Sequence, residues 1–448
     1  MNGHKHLLVD SSLWGFYHLL FPNKADLTWS ESELTPKALS SRLNHAYTFF
    51  FLIPPTESAA KLAQQLIANA EPPCQPPYVI FCPQTSPACL DVLKTVPAAS
   101  AFSWDPGLIP LGSDVLTLEA NHGFRDLMLS RDLGLLGRVK ESVRQVEEIH
   151  GKIPLRYAKG RWSCAVVDAL GENDDDDSAG GDIDIMVMMD REVDLVTPLM
   201  MQMTYEGLID ELFGIRCGMV EIDSKIVESL GSPQEEAKKA SRQAKTPEKE
   251  VINLLTDNFF PRCRDMNLNI LKQQLQRIVE QGEILKKNLN TIQSTHDSAE
   301  CMKRANDFRS NSKAALRISP LVIPRIDSCV AGEIDKIVAK RRTKQIYALQ
   351  TGMVSDGGVA KYVIDPLELM ICKGQKVDKV LRMMCLLSVI NKGIKEDLYT
   401  KLTKTFVSSF GVHELLRLMQ LERVGLFTTK SGTSTLNKAF TAIFHLYR

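Results

Sequence analysis

The sequence predicts a multidomain protein in which an α/β part is followed by an all-α part. Short apolar runs alternate with amphipathic stretches over the first half of the chain, a pattern typical of alternating strands and helices. From Val251 onward, apolar residues recur at helical spacing. At 448 residues the chain is long enough for roughly three domains. We expect an α/β domain one over 1–110, the first part of an α/β domain two over 111–222, a flexible crossing over 223–250, and a helical domain whose two parts cover 251–375 and 376–448.

Domain one is predicted from three short apolar runs. These runs, Leu7 to Val9, Tyr47 to Ile53 and Tyr78 to Cys82, favour strands. The stretch Lys61 to Asn69 favours a helix between the second and third strands. The proline-rich piece before Tyr78 is predicted to be a loop, because proline neither donates to a ladder nor continues a helix.

Domain two is predicted to begin near Leu111 and to contain a helix from Leu135 to His150. The segment Asn173 to Gly181 has four consecutive aspartates and a glycine pair, so we expect a solvated loop. A calcium site is the weaker interpretation, because adjacent acids without alternating spacing do not form an EF-hand loop. Ile185 to Met189 is an unbroken apolar run bounded by acidic residues, which predicts a strand covered on both faces.

A helix is predicted directly after that strand. Thr197 can cap it with its hydroxyl, and Pro198 suits the first helical position because its missing N–H costs nothing there. An apolar stripe then recurs at steps of four and three residues, which predicts one buried face. Its members are Met201, Tyr205, Leu208, Leu212 and Ile215.

The composition changes after Asp223. Ser232 to Glu250 has almost no large apolar residue, so we expect a flexible crossing there. A heptad-like stripe then predicts a long helix, which is either a core helix or the wall of a groove that accepts partner helices. The stripe consists of Leu271, Leu275, Ile278, Leu285, Leu289 and Ile292.

Two further stretches complete the helical part. Ser319 to Pro324 places three large apolar residues between two prolines, which predicts the tip of a helical hairpin. Exposed apolar residues on a tip favour a binding role, and folding back onto the domain is the equally weighted alternative. Lys376 to Arg448 is again helical and rich in leucine.

Bulk properties exclude several classes of function. Lys+Arg and Asp+Glu both count 54, so no global field attracts nucleic acid. The longest apolar runs, Phe49 to Ile53 and Ile185 to Met189, are far shorter than the roughly 20 residues that span a bilayer. Ten cysteines without a Cys-x-x-Cys pair predict free thiols rather than a zinc site. We expect a cytoplasmic protein that uses neither a metal nor a cofactor.

Asp190 suggests an enzymatic interpretation, because it follows a predicted strand at the end where α/β enzymes place ligands. The sequence contains no Gly-rich phosphate loop, G-x-S-x-G elbow or H-E-x-x-H motif. An Asp–Arg pair more often forms an internal ion pair that fixes a turn, so Asp190, Arg191 and Asp194 are predicted to be structural. The alternative is an α/β hydrolase or nucleotide-dependent enzyme that uses Asp190.

The pattern Asp-Arg-x-x-Asp-x-x-Thr-Pro-Leu, followed by Thr-Tyr-Glu-Gly-Leu, resembles the signature of the SM (Sec/Munc) family of SNARE-assembly chaperones. The blocks LLVDSSLWG, HGKIPLRYAKG and FGVHELLRLMQLERVGLF are most similar to its vacuolar protein sorting branch, whose members are subunits of the HOPS and CORVET tethering complexes. The resemblance spans almost the whole chain and implies two small parallel α/β domains with a large helical domain. It also implies that the signature residues are mainly structural. They are Asp190, Arg191, Asp194, Thr197, Pro198, Tyr205, Glu206 and Gly207.

The resemblance implies a function as well. Such proteins template syntaxin-type and synaptobrevin-type SNARE helices for membrane fusion, as peripheral proteins on endosomal, lysosomal or vacuolar membranes. The family's helical hairpin receives the SNARE helices, and the branch docks a scaffold subunit of the tether near its carboxyl-terminal part. A degenerate scaffold that has lost SNARE binding is the further alternative. The positions implied are Leu321, Ile323 and Arg325 for the SNARE contact, and Phe410, Val412 and Leu415 for the tether contact.

Compared with the family pattern, the chain is expected to lack the helix that precedes the first strand. It is also expected to lack the segment that returns to complete the sheet of domain two. That sheet would then show an unpaired edge, which favours association.

Overall fold

The computed structural model describes most of the chain in two compact units. The units are Met1–Glu119 with Phe213–Thr256, and Ala120–Leu212 with Asp257–Arg448. This division differs from the predicted one, because 213–256 belongs with the first unit and the second α/β domain belongs with the helices. The described residues are 5–20, 29–33, 48–68, 77–96, 99–171, 181–223, 249–266, 268–291, 295–312, 315–319, 321–323, 349–355 and 361–430.

A five-stranded parallel sheet forms the centre of the first unit. Its strand order is β2-β1-β3-β4-β5, and adjacent strands pair in parallel, for example Leu8 with Phe51. The strands are β1 (Lys5–Val9), β2 (Trp29–Glu33), β3 (Thr48–Ile53), β4 (Tyr78–Phe81) and β5 (Ser100–Ser103), and the helices are α1 (Trp14–Leu20), α2 (Glu57–Ala68) and α3 (Pro87–Leu93).

Both faces of this sheet are covered. Phe51, Ile53 and Val79 lie in one core with residues of α2 and α3. Leu7 and Leu52 lie in a second core, together with residues of α1 and the turn before it. The three predicted strands are therefore confirmed, while β2 and β5 were missed because their sequences, WSESE and SAFS, carry little apolar pattern.

Two small antiparallel sheets also belong to the first unit. β6 (Ile109–Pro110) pairs with β7 (Leu116–Thr117), and β11 (Met219–Asp223) lies between β10 (Ile215–Arg216) and β12 (Lys249–Asn253). The prediction that the chain is helical from Val251 is thus wrong for its first residues, which pair along β11. Lys249 and Glu250 were placed in the flexible crossing but belong to β12, and the rest of 224–248 lies outside the described residues.

The second unit contains a parallel pair of strands, β8 (Leu155–Lys159) and β9 (Ile185–Met189). α4 (Gly134–His150) packs against α5 (Arg161–Gly171), and α5 packs against both strands. The side chains on the other face are exposed: Ile185 by 53%, Val187 by 60% and Met189 by 62%. The predicted strand is confirmed, but its predicted coverage on both faces is wrong for the described residues. The predicted helix from Leu135 is also confirmed.

Helices make up the rest of the second unit. They are α6 (Val196–Leu199), α7 (Tyr205–Phe213), α8 (Phe260–Cys263), α9 (Leu268–Thr291), α10 (Thr295–Asn311), α11 (Lys361–Cys372), α12 (Val377–Ile390), α13 (Glu396–Phe410) and α14 (Leu415–Arg423). The largest core joins α11 to α14, and Val196, Leu199 and Met200 pack against it. The segment that follows β9 is therefore attached to the helical part of the same unit.

The long helix predicted from the heptad-like stripe is α9. Leu271, Leu275 and Ile278 are buried, whereas Leu285 is half-buried and the neighbouring Ile284 is exposed. The first half of the stripe therefore matches the core-helix interpretation. The side chain of Leu289 and residue Ile292 lie outside what the structure describes.

Candidate functional site: the signature segment and two apolar surfaces

Asp190 directly follows β9 and caps the amino-terminal end of α5. Its Oδ2 accepts a hydrogen bond from the Trp162 N–H at 2.9 Å, and its Oδ1 accepts from the Ser163 N–H at 2.7 Å and the Ser163 hydroxyl at 2.6 Å. Gly160 makes room for this arrangement, because a Cβ there would overlap the Asp190 carboxylate. The carboxylate therefore joins the end of the strand to the start of the helix.

Burial by itself would raise the pKa of Asp190, but the hydrogen bonds from Ser163 and Trp162 outweigh it and lower this pKa below its usual value. An anionic, fully bonded carboxylate stabilises a helix start and has little capacity left for catalysis. The predicted ion pair with Arg191 is wrong for Asp190, since its carboxylate bonds α5 instead. The hydrogen bonds from Thr197, and to a smaller degree the charge of the exposed Arg191, lower the pKa of Asp194. The structural interpretation of Asp190 is supported, and the enzymatic alternative is disfavoured.

Asp194, rather than Thr197, caps the next helix. The Asp194 Oδ1 accepts hydrogen bonds from the N–H groups of Val196 and Thr197, both at 3.0 Å. The bond from the Thr197 hydroxyl, followed by that from the Thr197 N–H, lowers the pKa of Asp194. Thr197 and Pro198 lie inside α6, so the predicted capping role of the Thr197 hydroxyl is wrong. The helix begins at Val196, two residues earlier than predicted.

The predicted continuous helix is interrupted after Leu199. α7 begins anew at Tyr205, where the Thr204 hydroxyl accepts a hydrogen bond from the Gly207 N–H at 3.1 Å. A Cβ at Gly207 would overlap the Gln202 side chain, so the connection requires glycine there. The predicted stripe is thus divided: Tyr205 and Leu208 are buried in α7, Leu212 is exposed in α7, Met201 is buried in the connection and Ile215 lies in β10.

Tyr205 fastens α7 to the start of the helical part. Its ring lies 6.2 Å from that of Phe259 and 6.0 Å from that of Phe260. Burial, followed by the nearby Asp257, raises the pKa of its hydroxyl well above the usual value. The Glu206 N–H donates to the Arg264 carbonyl oxygen at 3.2 Å, so this contact uses the backbone of Glu206. The second half of the signature is therefore a packing surface.

Two residues that the sequence did not indicate hold the signature segment in place. The Gln350 amide is fully buried, accepts from the Met201 N–H at 2.9 Å and donates to the Leu199 carbonyl oxygen at 3.2 Å. The Arg382 guanidinium binds Glu211 Oε2 through two nitrogens, at 2.9 and 2.7 Å. Gln350 lies 151 residues from Leu199 in the sequence, and Arg382 lies 171 residues from Glu211. No local sequence signal could have found them.

The predicted hairpin tip is more buried than expected. Residues 315–319 and 321–323 are helical, and Ile318, Ser319 and Val322 are fully buried. Leu321 and Ile323 are half-buried on either side of Val322. For these residues the structure therefore favours the folding-back alternative over an exposed apolar tip. Arg325 lies outside the described residues.

The predicted tether contact divides between core and surface. Leu415 is 3% exposed and belongs to the large helical core, and Phe410 packs against that core with its ring 4.9 Å from Phe406. Val412 is 57% exposed, as predicted for a contact residue. The prediction for Leu415 as a contact residue is wrong, because it shares the inward face of α14 with Leu418.

An exposed apolar stripe that the sequence interpretation missed lies beside Val412. Leu416 is 66% exposed and Met419 is 43% exposed, at steps of four and three residues from Val412. We call Leu416 and Met419 of α14, together with Val412 in the 3-10 turn before it, the α14 stripe. The paired residues Leu415–Leu416 and Leu418–Met419 were the available signal, since adjacent apolar residues on a helix point to different faces. Arg417 borders the stripe and lies 3.3 Å from Asp378.

The described residues contain no cluster of His, Cys, Asp and Glu that could hold a metal ion. No helix among them is long and apolar enough to cross a membrane. Within the same part of the chain, the cysteines form no disulfide bond.

Comparison with known proteins identifies the class to which this fold and signature belong. Residues 30–445 match the Sec1 family, so the chain is a Sec1-family protein, that is, an SM protein. The Vacuolar protein-sorting-associated protein 33 homolog of Arabidopsis thaliana is 26% identical over 440 residues, which cover 95% of this chain and 69% of that protein. Vacuolar protein sorting-associated protein 33B of Homo sapiens is 27% identical over 371 residues. That match covers 80% of this chain and spans only 55% of the human protein.

Solved structures agree on the fold. The SM protein Vps45 in complex with the Qa SNARE Tlg2 has a TM-score of 0.54 at 16% identity, covering 95% of this chain and 73% of that one. The Unc18–syntaxin 1 complex from Monosiga brevicollis has a TM-score of 0.51 at 14% identity, covering 96% and 77%. The SM resemblance seen in the signature is thus confirmed.

Proposed function

We propose that this protein binds SNARE helices and promotes vesicle docking and fusion in transport to the lysosome or vacuole, as the SM subunit of a HOPS/CORVET-type tether. The observation that carries the proposal is the family match over 30–445, together with relatives named for vacuolar protein sorting. The function requires binding and no covalent chemistry. It places the protein in the cytoplasm, peripheral on endosomal, lysosomal or vacuolar membranes.

The α14 stripe is the proposed contact with the scaffold subunit of the tether. Leu416 and Met419 are exposed on α14, and Val412 is exposed in the short 3-10 turn that leads into it. These three apolar side chains, bordered by Arg417 and Arg423, have the character of a docking surface. Leu415 and Leu418 on the opposite face fix the helix to the core, so the stripe is presented on a rigid element. The proposed contact residues are therefore Val412, Leu416 and Met419. Leu415 belongs to the helical core and Phe410 packs against it, so these two residues support the contact.

Co-purification with the scaffold subunit tests this contact. Leu416→Asp and Met419→Asp should each abolish co-purification while leaving the melting temperature unchanged, because burying the new carboxylate on docking costs several kcal/mol. Leu369→Asp on α11 is the matched control, since Leu369 is also exposed and lies outside the stripe. Leu415→Lys should instead unfold the helical part. A folded Leu416→Asp variant that still co-purifies would contradict the assignment.

The proposed SNARE contact includes Leu321 and Ile323, which are half-buried and therefore partly accessible, with Arg325 as the third residue of the proposal. Pull-downs with purified syntaxin-type and synaptobrevin-type SNARE domains test it. Leu321→Asp and Ile323→Asp should weaken capture, whereas Ile284→Asp, at an exposed position of α9, should not. Circular dichroism on the same samples separates loss of binding from loss of fold. If the unmodified chain captures neither SNARE at micromolar concentration, the degenerate-scaffold alternative replaces this function.

A further inference from the structure

The outer face of the β8–β9 pair is a patch of five large apolar side chains that are exposed. Leu155 is 49% exposed and Tyr157 is 57% exposed, beside the three exposed side chains of β9. The strand register pairs Leu155 with Ile185 and Tyr157 with Val187, so these side chains adjoin one another. We call Leu155, Tyr157, Ile185, Val187 and Met189 the β8–β9 face. None of them belongs to the two proposed partner contacts, so the face is a separate surface.

β8 carries its charge on the covered side and its apolar side chains on the open side. The Arg156 side chain is 11% exposed, and its guanidinium lies 2.7 Å from the carboxylate of the equally buried Glu147 of α4. Its two neighbours along the strand, Leu155 and Tyr157, lie on the opposite face. A sheet face that meets water normally shows the reverse pattern, with polar side chains outward. The pattern therefore indicates a face that another surface covers.

The area of the β8–β9 face suits a contact between two copies of the chain. Its five side chains expose on the order of 500 Å² of mostly apolar surface, as much as the largest patch on a typical monomer. Two such faces in contact would remove about 1,000 Å² from water, which is the lower limit for a specific interface. Because the face is a sheet surface rather than a cleft, it suits a second sheet better than a small molecule.

Charges at the two ends of the strand pair select the orientation of the second copy. Because β8 and β9 are parallel, both begin at one end, where Asp182 and Asp184 are exposed. Directly after the strands, three exposed cations outnumber one exposed anion, so the face has an acidic and a basic end. Two faces stacked with antiparallel strands place opposite ends together, whereas parallel stacking opposes like charges. The exposed residues at the basic end are Lys159, Arg161, Arg191 and Glu192.

We propose that two copies of this chain bind each other through their β8–β9 faces, with the strands of one copy antiparallel to those of the other about a twofold axis. A twofold contact uses the same surface on both copies, so a face with an acidic and a basic end is complementary to itself. Tyr157 and Val187 form the middle row and lie nearest the axis. The interface is small, so the dimer is weak, and the dilute chain is a monomer with its face open.

Sedimentation velocity of the full chain, from about 1 to about 200 µM, tests the dimer. The unmodified chain should change from monomer to dimer over this range. Val187→Lys should weaken association about tenfold or more, because two lysines would then face each other near the axis. Ile284→Lys is the matched control, since Ile284 is 55% exposed on α9, outside the face, and should leave association unchanged.

Circular dichroism identifies any variant that fails to fold, and Tyr157→Lys then replaces Val187→Lys. A chain that remains monomeric at the highest concentration would overturn the proposal and leave the face to a different protein. A folded Val187→Lys variant that dimerises like the parent, or no more weakly than Ile284→Lys, would overturn it as well.

A charge exchange tests the antiparallel orientation. Lys159→Glu should raise the dissociation constant of the dimer about threefold, as expected when an exposed ion pair with Asp184 of the second copy is reversed. Combining Lys159→Glu with Asp184→Lys should restore the parental value, because the two ends of the face then exchange their signs. An unchanged dimer in Lys159→Glu, or a double variant no tighter than the single one, would overturn this arrangement.

Discussion

Two five-residue apolar runs, Phe49–Ile53 and Ile185–Met189, form parallel strands with very different surroundings. The first run lies in β3, in the interior of the five-stranded sheet, where Phe51 is 1% exposed and helices cover both faces. The second run is β9, whose only neighbouring strand among the described residues is β8 and whose outer face is open. An apolar run therefore predicts a strand, but its burial depends on what the rest of the chain places over it.

The two strands also differ in what holds them. β3 is held by packing on both sides, whereas β9 is held by packing of α5 on one side and by the hydrogen bonds of Asp190 at its end. Asp10, which follows β1, accepts from the Ser12 N–H and hydroxyl in an exposed turn. Strand-end aspartates thus occur in both sheets, but only Asp190 links its strand to a helix 27 residues away.

The largest expected effect tests the difference in burial. Phe51→Ala should lower the free energy of unfolding by about 3–5 kcal/mol, because it removes a fully buried aromatic ring. Val187→Ala should cost less than about 0.5 kcal/mol, because that side chain is exposed. Denaturant unfolding of both variants measures the contrast. A loss of more than 1.5 kcal/mol for Val187→Ala, on the order of a buried valine, would mean that the outer face of β9 is covered in solution.

The second effect tests the polar attachment of β9. Asp190→Asn should destabilise the protein by about 2 kcal/mol at neutral pH, since it weakens a charge-assisted helix cap. The folded-state pKa of Asp190 is lowered, so its contribution is present above the unfolded pKa of about 3.9 and is lost as pH falls through the folded pKa. The variant should therefore lose less stability than the parent on acidification to pH 3.

Asp10→Asn is the matched control for this prediction. Its turn is exposed, so unfolding curves at neutral pH should change little. Equal destabilisation by Asp10→Asn and Asp190→Asn would contradict the prediction. It would mean that the two aspartates stabilise their sheets equally, although their hydrogen-bond partners differ.

The smallest effect distinguishes the two threonines of the signature. Thr204→Ala should cost about 1 kcal/mol, because the Thr204 hydroxyl caps α7 through the Gly207 N–H. Thr197→Ala should cost less, because Asp194 still accepts the backbone N–H of residue 197. Thermal melts of the two variants give the order. A larger loss of stability for Thr197→Ala than for Thr204→Ala would mean that the Thr197 hydroxyl is the more important helix cap.

Local chemistry made part of the fold predictable. The apolar runs identified β1, β3, β4 and β9, and amphipathic spacing identified α4 and α9. Strands with polar sequences, such as β2 and β12, were missed because pairing with neighbours decides their conformation. The apolar stripe through Met201 predicted one continuous helix, but the helix is interrupted before Tyr205. Thr204, as a capping residue, and Gly207 were the sequence signals for this interruption.

The proposed contact surfaces were only partly predictable, for the same reason. The proposed tether contact near Val412 comes from the sequence resemblance, but the choice between Leu415 and Leu416 requires knowing which face of α14 meets the core. The Gln350 and Arg382 contacts join residues far apart in sequence. Hydrophobic periodicity does not record such distant neighbours.

The close approach of Gly160 to Asp190 restricts how these two positions can change together. Gly160 has a φ of +111° and its missing Cβ leaves the volume that the Asp190 carboxylate fills. A smaller residue 190 would make room for a side chain at 160, but it forfeits the bonds to Trp162 and Ser163, and the positive φ still disfavours any residue other than glycine at 160. Single and double changes are therefore both unfavourable, so random mutagenesis under selection for folding should retain Gly160 and Asp190 together.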